Sequence, residues 1–359
     1  MADVAHHLPQ PAKSVSAGGR LPLVDVLKAL ASQLIVLHHL AFYGPMSDYA
    51  RSLVPDALDW FYAYARIAVQ VFLVIGGFLA AQSLQRQGCL DSPLRLLWRR
   101  YLKLVLPYLV ALLLAIAAAA IARHLMNHPA TPAAPTLAQF LAHLLLLQGI
   151  LGFDSLSAGV WYVAIDFQLY ALLLAAHCLV QRCWPGSVLA VRWLVCLLCV
   201  ASLFWFNRDR SLDNWAIYFF GAYGLGALCF WGGRKGAMSV RLLLVFVLAF
   251  LALCIAFRLR LAVALGVALL LCASHYAGWI ARWPRSPLMA WLGQISYAVF
   301  LVHYPVCLVV SALFEHFALH SPEVQLVGMG LAWASSLAGG ALFYRLVECR
   351  AQKLLAAWR

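Results

Sequence analysis

Residues 24–43, VDVLKALASQLIVLHHLAFY, form an apolar run long enough to cross a bilayer, yet they carry Asp25, Lys28, His38 and His39. Ionisable groups inside a span are expensive, so they turn toward a protein interior or a wet cavity and mark function. Lys28 and His39 are eleven residues apart. On an α-helix this is about 1100°, roughly 20° from whole turns, with a rise of about 16 Å. The two side chains therefore leave one face near opposite ends of the span. Asp25, Ser32 and His39 repeat at sevens on that face, and His38 stands about 100° away. A lone histidine in such a run reads as a satisfied interior group, whereas aligned polar groups read as a seam.

The rest of the composition fits that setting. Of 359 residues, 65% are hydrophobic and 11% charged, and the mean hydropathy is +0.86. Soluble domains carry about 25% charge, so the chain reads as a polytopic membrane protein, an all-α transmembrane bundle. Runs of about twenty apolar residues place ten spans at 24–43, 60–82, 103–122, 160–181, 190–206, 214–231, 240–257, 261–280, 290–314 and 324–347. The shorter run 137–151 follows the Pro-rich stretch PATPAAPT and reads as a surface or re-entrant helix. Residues 1–20 and 351–359 are expected to be tails flanking one transmembrane domain, 21–350.

Eighteen basic residues fall on the side of the termini and seven, including Arg66, Arg258 and Arg260, on the other. Lys and Arg stay cytoplasmic, so both termini are expected inside the cell and the loop 123–159 outside. The net charge of +13 sits at span ends, which excludes a nucleic-acid face. No apolar core precedes residue 20, so no cleaved signal peptide is expected. Cys196 and Cys199 have metal spacing but lie in a span without a second pair, and no metal site is expected. Gly76, Gly77, Gly221, Gly224 and Gly226 suit close helix packing.

Three more constellations carry ionisable or polar groups. Arg99, Arg100 and Lys103 gather at the expected inner mouth of the third span, where they anchor to lipid phosphates or hold those of a soluble coenzyme. Asp166, in WYVAIDFQLY (161–170), enters a span from the outer side at a depth of about 9 Å and needs a partner, with Arg66 and His39 as candidates. Ser296 and His303, in ISYAVFLVHYP (295–305), share a helix face. Trp161, Tyr162 and Tyr170 suit an aromatic belt.

In order and spacing, these motifs resemble the acyltransferase-3 family of integral membrane acyltransferases from about residue 21 to 350. The family's Arg-x10-His is matched by Lys28 and His39, its Phe-Phe-x-x-Ser-Gly-Phe by residues 71–78 with Gly76 in place of serine, and its Arg-x-x-Arg by Arg100 and Lys103. Asp166, then Ser296, Tyr297 and His303, and a closing Arg345-Leu-Val-Glu348 complete the match. Two arginines have become lysines, which keeps charge but loses bidentate geometry. The resemblance implies transfer of an acyl group, expected to be acetyl, from cytosolic acyl-CoA to a hydroxyl of a cell-surface carbohydrate or its lipid-linked precursor. The setting is the cell inner (plasma) membrane, and acyl-CoA is a substrate rather than a tightly bound cofactor.

Lys28, His39 and Asp166 are then the catalytic candidates, with His39 as base or transient acyl carrier. Arg99, Arg100 and Lys103 are the donor-binding candidates. Arg66, Trp161, Gln168, Ser296, Tyr297 and His303 are the acceptor-binding ones. A soluble esterase-like partner of the kind some members carry is expected as a separate periplasmic protein. The alternative is a proton-coupled transporter or exporter of a saccharide or small acid, using Asp166 and His39 as a relay.

Overall fold

The computed structural model describes residues 20–87, 92–234 and 237–357. The expected tail 1–20 lies outside them except for Arg20. The helices are α1 (Pro22–Phe42), α2 (Met46–Ala50), α3 (Pro55–Tyr64), α4 (Ala68–Gln87), α5 (Pro93–Leu125), α6 (Leu137–Leu144), α7 (Trp161–Cys183), α8 (Val188–Phe204), α9 (Ala216–Gly232), α10 (Val240–Ile255), α11 (Leu259–Ala277), α12 (Pro287–His316), α13 (Pro322–Phe343) and α14 (Cys349–Ala357). Among the described residues the only strand pairing is Gly233–Arg234 with Ala237–Met238.

A helix lies at each of the ten expected spans, and eight helical runs are long and apolar enough to cross a membrane. The exceptions are α9 and α10, 17 and 16 residues long, or about 25 Å, short of a bilayer core of about 30 Å. Nearly every side chain of α9 is buried, as befits a helix that is apolar on all sides. It packs against α4, α7, α8, α10 and α11. Its contact with α4 is backbone on backbone: a Cβ at Gly77 would fall 1.8 Å from the Tyr223 carbonyl oxygen, and one at Gly226 would fall 1.9 Å from that of Val74. Only glycine permits this crossing.

The second span differs from expectation. Its helix begins at Pro55 and breaks into a 3-10 turn over Ala65–Ile67 before α4 resumes. Arg66 therefore sits on an irregular turn rather than a turn and a half into a helix. The run after α5 is re-entrant. Thr136 and Gln139 form a reciprocal cap on α6, and the Leu144 carbonyl accepts a hydrogen bond from Tyr101 Oη on α5 at 2.8 Å. The Tyr101 ring meets Phe167, beside Asp166, at 5.7 Å, so the tip of α6 lies at about the depth of that carboxylate. At the other end of the chain α13 passes through a π-helical turn, Tyr344–Glu348, into α14, so residues 351–357 of the expected tail are helical.

Candidate functional site

A cavity of about 570 Å³ opens at the end of the bundle where α1 finishes. It is walled by α1, the Ala65–Ile67 turn, the segment 148–159 and the starts of α7, α9 and α11. His39 is on its wall with Arg66, Trp161, Tyr162 and Gln168. The volume suits a sugar-sized ligand.

His39 is held by a second histidine. Its Nδ1 lies 2.7 Å from Nε2 of His303 on α12. His303 is fully buried, and its own Nδ1 faces the carbonyls of Phe300 at 2.8 Å and Val299 at 3.1 Å. Carbonyls only accept, so His303 carries its proton on Nδ1. With both rings neutral, His303 Nε2 accepts from His39 Nδ1–H. That leaves the lone pair on His39 Nε2, which has no partner among the described residues. The geometry of α12's own backbone thus sets the tautomer of a ring one helix away. His38, by contrast, bonds the Phe61 carbonyl at 3.0 Å and ties α1 to α3.

Asp166 is paired elsewhere than expected. Arg100 Nη2 donates to its Oδ2 at 2.5 Å, and the guanidinium lies over the Tyr170 ring at 5.2 Å. Neither Arg66 nor His39 bonds it. The long arginine reaches along α5 from the Lys28 end, so Asp166 lies between the two ends of the bundle rather than at the level of His39. A Cβ at Gly76, where the family pattern has serine, would stand 3.4 Å from Asp166 Oδ1.

At the Lys28 end, Lys28 on α1, Lys103 on α5 and the buried Glu348 of the π-helical turn are within electrostatic reach of one another. Glu348 accepts from Gln352 at 3.1 Å, and its second oxygen is unbonded among the described residues. π-helical turns of this kind recur at functional sites. Arg99 is half-buried nearby on α5. The seam on α1 is not one continuous wet track. Ser32 is buried and bonds back to the Ala29 carbonyl at 2.8 Å, Asp25 pairs with Arg20 at 3.2 Å, and the cavity wall on α1 begins at Ile35. Lys28, Arg99, Arg100 and Lys103 do not border the cavity.

Of the remaining residues singled out from sequence, Gln168 and Trp161 are on the cavity wall, the former accepting from the Ala216 amide at 3.1 Å. Ser296 is buried and bonded to the Gly293 carbonyl at 2.9 Å, and Tyr297 bonds that of Leu104 at 3.1 Å. Both face away from the cavity, at helix contacts. The wall also contains Tyr304, next to His303 in the 295–305 motif, and Gln70, Gln148, Ser157 and Arg260, which lie in no motif. Gln148 and Ser157 are in irregular chain, and Arg260 reads as a span-end residue; only the polar Gln70 inside an apolar run carried a signal.

A multi-pass helical membrane protein with a cavity-lining histidine held by a second, buried histidine defines the class. Residues 22–345, nearly the whole chain, match the family model of the acyltransferase-3 type, described as an acyltransferase domain. The chain belongs to this family of membrane acyltransferases. Comparison with curated proteins and with solved structures gives no significant match.

Proposed function

We propose that the protein transfers an acetyl group from cytosolic acetyl-CoA to a hydroxyl of a surface carbohydrate or its lipid-linked precursor, in the inner membrane, with both termini in the cytoplasm. The observation that carries this is the bare Nε2 of His39 on a sugar-sized cavity, with its other nitrogen fixed by His303. In this reading His39 Nε2 takes the acceptor hydroxyl's proton as that oxygen attacks the thioester carbonyl carbon. The carbon–sulfur bond breaks, the coenzyme leaves as thiolate, and the imidazolium returns the proton to the sulfur. Positioned base catalysis of this kind contributes about 10²–10⁴ in rate.

Lys28, Arg99 and Lys103 supply the positive charge for the donor's phosphates at the cytoplasmic mouth. Arg100 and Asp166 hold the wall between donor and acceptor levels, and Arg100 adds charge to the inner side. Trp161, Tyr162 and Gln168 give a sugar the stacking faces and hydrogen-bond groups that such ligands need. The test is purified protein with labelled acetyl-CoA and glycans extracted from cells lacking the gene. Wild type is expected to place label on the glycan in ester linkage, and Lys28→Ala and Lys103→Ala each to raise the donor KM about tenfold. Label that stays on the coenzyme with every glycan fraction would refute the reading.

A further inference from the structure

The cavity holds two arginines, Arg66 and Arg260, that form no ion pair with a described carboxylate. Arg66 forms no hydrogen bond or ion pair with a described residue, and Asp166, the partner expected for it, is taken by Arg100. Arg260 donates from Nη2 to Tyr218 Oη at 2.6 Å and lies over that ring at 5.3 Å. This steadies the guanidinium and leaves its other N–H donors without a partner among the described residues. The helix that carries Arg260, α11, packs against the turn that carries Arg66, so the two enter from adjoining walls. Asp213 is also on the wall and pairs with neither. His38 is within electrostatic reach of Arg66, and His39, Tyr43, Tyr162 and Tyr304 are the other titratable groups on the wall.

Unpaired arginines here run against the charge asymmetry of the chain, in which basic residues crowd the opposite side. The same cavity has orphaned neutral groups. Gln148 is 1% exposed, and neither its Oε1 nor its Nε2 has a partner among the described residues. The Ser157 hydroxyl, on a residue 3% exposed, is likewise unbonded. Buried polar atoms left unmatched in a cavity wall call for a ligand or water that matches them.

We infer that the acceptor is an anionic sugar, with its acid group seated between Arg66 and Arg260 and its hydroxyls reaching Gln148 and Ser157. The inference rests on reading this cavity as the acceptor site. Planar guanidinium forks suit carboxylate and phosphate alike, so the acid is either a carboxylate on the sugar ring or a phosphate on the saccharide.

The experiment uses the full chain in liposomes with labelled acetyl-CoA and three acceptors of equal length: a neutral hexose oligomer, a uronic-acid oligomer and the hexose oligomer bearing a terminal phosphate. One of the two anionic acceptors is expected to exceed the neutral one in kcat/KM by about tenfold or more, the scale of a charge-assisted hydrogen bond. Which one does so identifies the acid. Arg66→Gln and Arg260→Gln are each expected to cut that anionic-to-neutral ratio about tenfold, with Arg66→Lys keeping part of it. Added salt should erode the ratio as well. A neutral acceptor used at least as well as both anionic ones would overturn the inference while leaving acyl transfer intact. So would glutamine variants that slow both classes equally. Transfer to none of the three by wild type would instead remove the acyl-transfer reading and this one with it.

Discussion

At the scale of single residues the account turns on two pairs, His39 with His303 and Arg100 with Asp166. In the first, the members do different jobs. Replacing His39 by alanine removes the proposed base and is expected to lower transfer by about 10²–10⁴ while the protein stays folded. His303→Gln keeps the bulk but loses the imidazole acceptor that fixes the His39 tautomer, and a smaller loss in kcat is expected with the donor KM unchanged. Steady-state kinetics on both variants separates the two roles. In the second pair Asp166 is buried and Arg100 partly so, with side-chain exposures of 8% and 23%. Removing one partner from a pair of this kind costs about 3–5 kcal/mol, because the other charge is left stranded. Arg100→Met and Asp166→Leu should each lower the melting temperature in detergent, and the double variant should be more stable than either.

The sequence pointed to all four of these residues but not to their pairing. Helical spacing placed Lys28 and His39 on one face, and the motif order placed Asp166 and His303. Which partner each would take depends on helix depth and on how far a side chain reaches. An arginine extends far enough to join levels that one-dimensional spacing keeps apart. Depth counted from a span's end set Asp166 beside His39, and that is the step the structure replaces.

Among the elements, the most constrained is the crossing of α4 and α9. A side chain at Gly77 or Gly226 would meet carbonyl oxygens under 2 Å away, so Gly77→Leu or Gly226→Val should abolish a monodisperse, folded preparation. Gly266 and Gly330 have no atom within 4 Å of a built Cβ. Alanine there should be tolerated, and the helix-propensity difference of about 1 kcal/mol favours it. Size-exclusion profiles and thermal melts of the four variants check both halves of the statement. The glycines were visible in the sequence as packing residues, and their partners were not. Likewise the re-entrant run 137–151 was visible as too short to span, while its contact with Tyr101 needed the fold. The cavity wall from 148–159 was the least legible part, since irregular chain has no period from which Gln148 or Ser157 could be read.

For the whole molecule, helices at the ten expected spans carry a cavity lined by His39 at one end and a basic cluster at the other, with the Arg100–Asp166 ion pair between. Chain order and hydropathy were enough to lay out the helices, though not the cavity or the ion pair, because the bilayer admits so few alternatives to a helix bundle. The central claim is that acyl transfer joins these two ends through His39. Its most direct measurement is made in sealed liposomes containing oriented protein, with labelled acetyl-CoA outside on the side of the termini and an acceptor saccharide trapped within. The account predicts labelled ester on the trapped acceptor with wild-type protein and none above background with His39→Ala. Equal labelling by His39→Ala would contradict it.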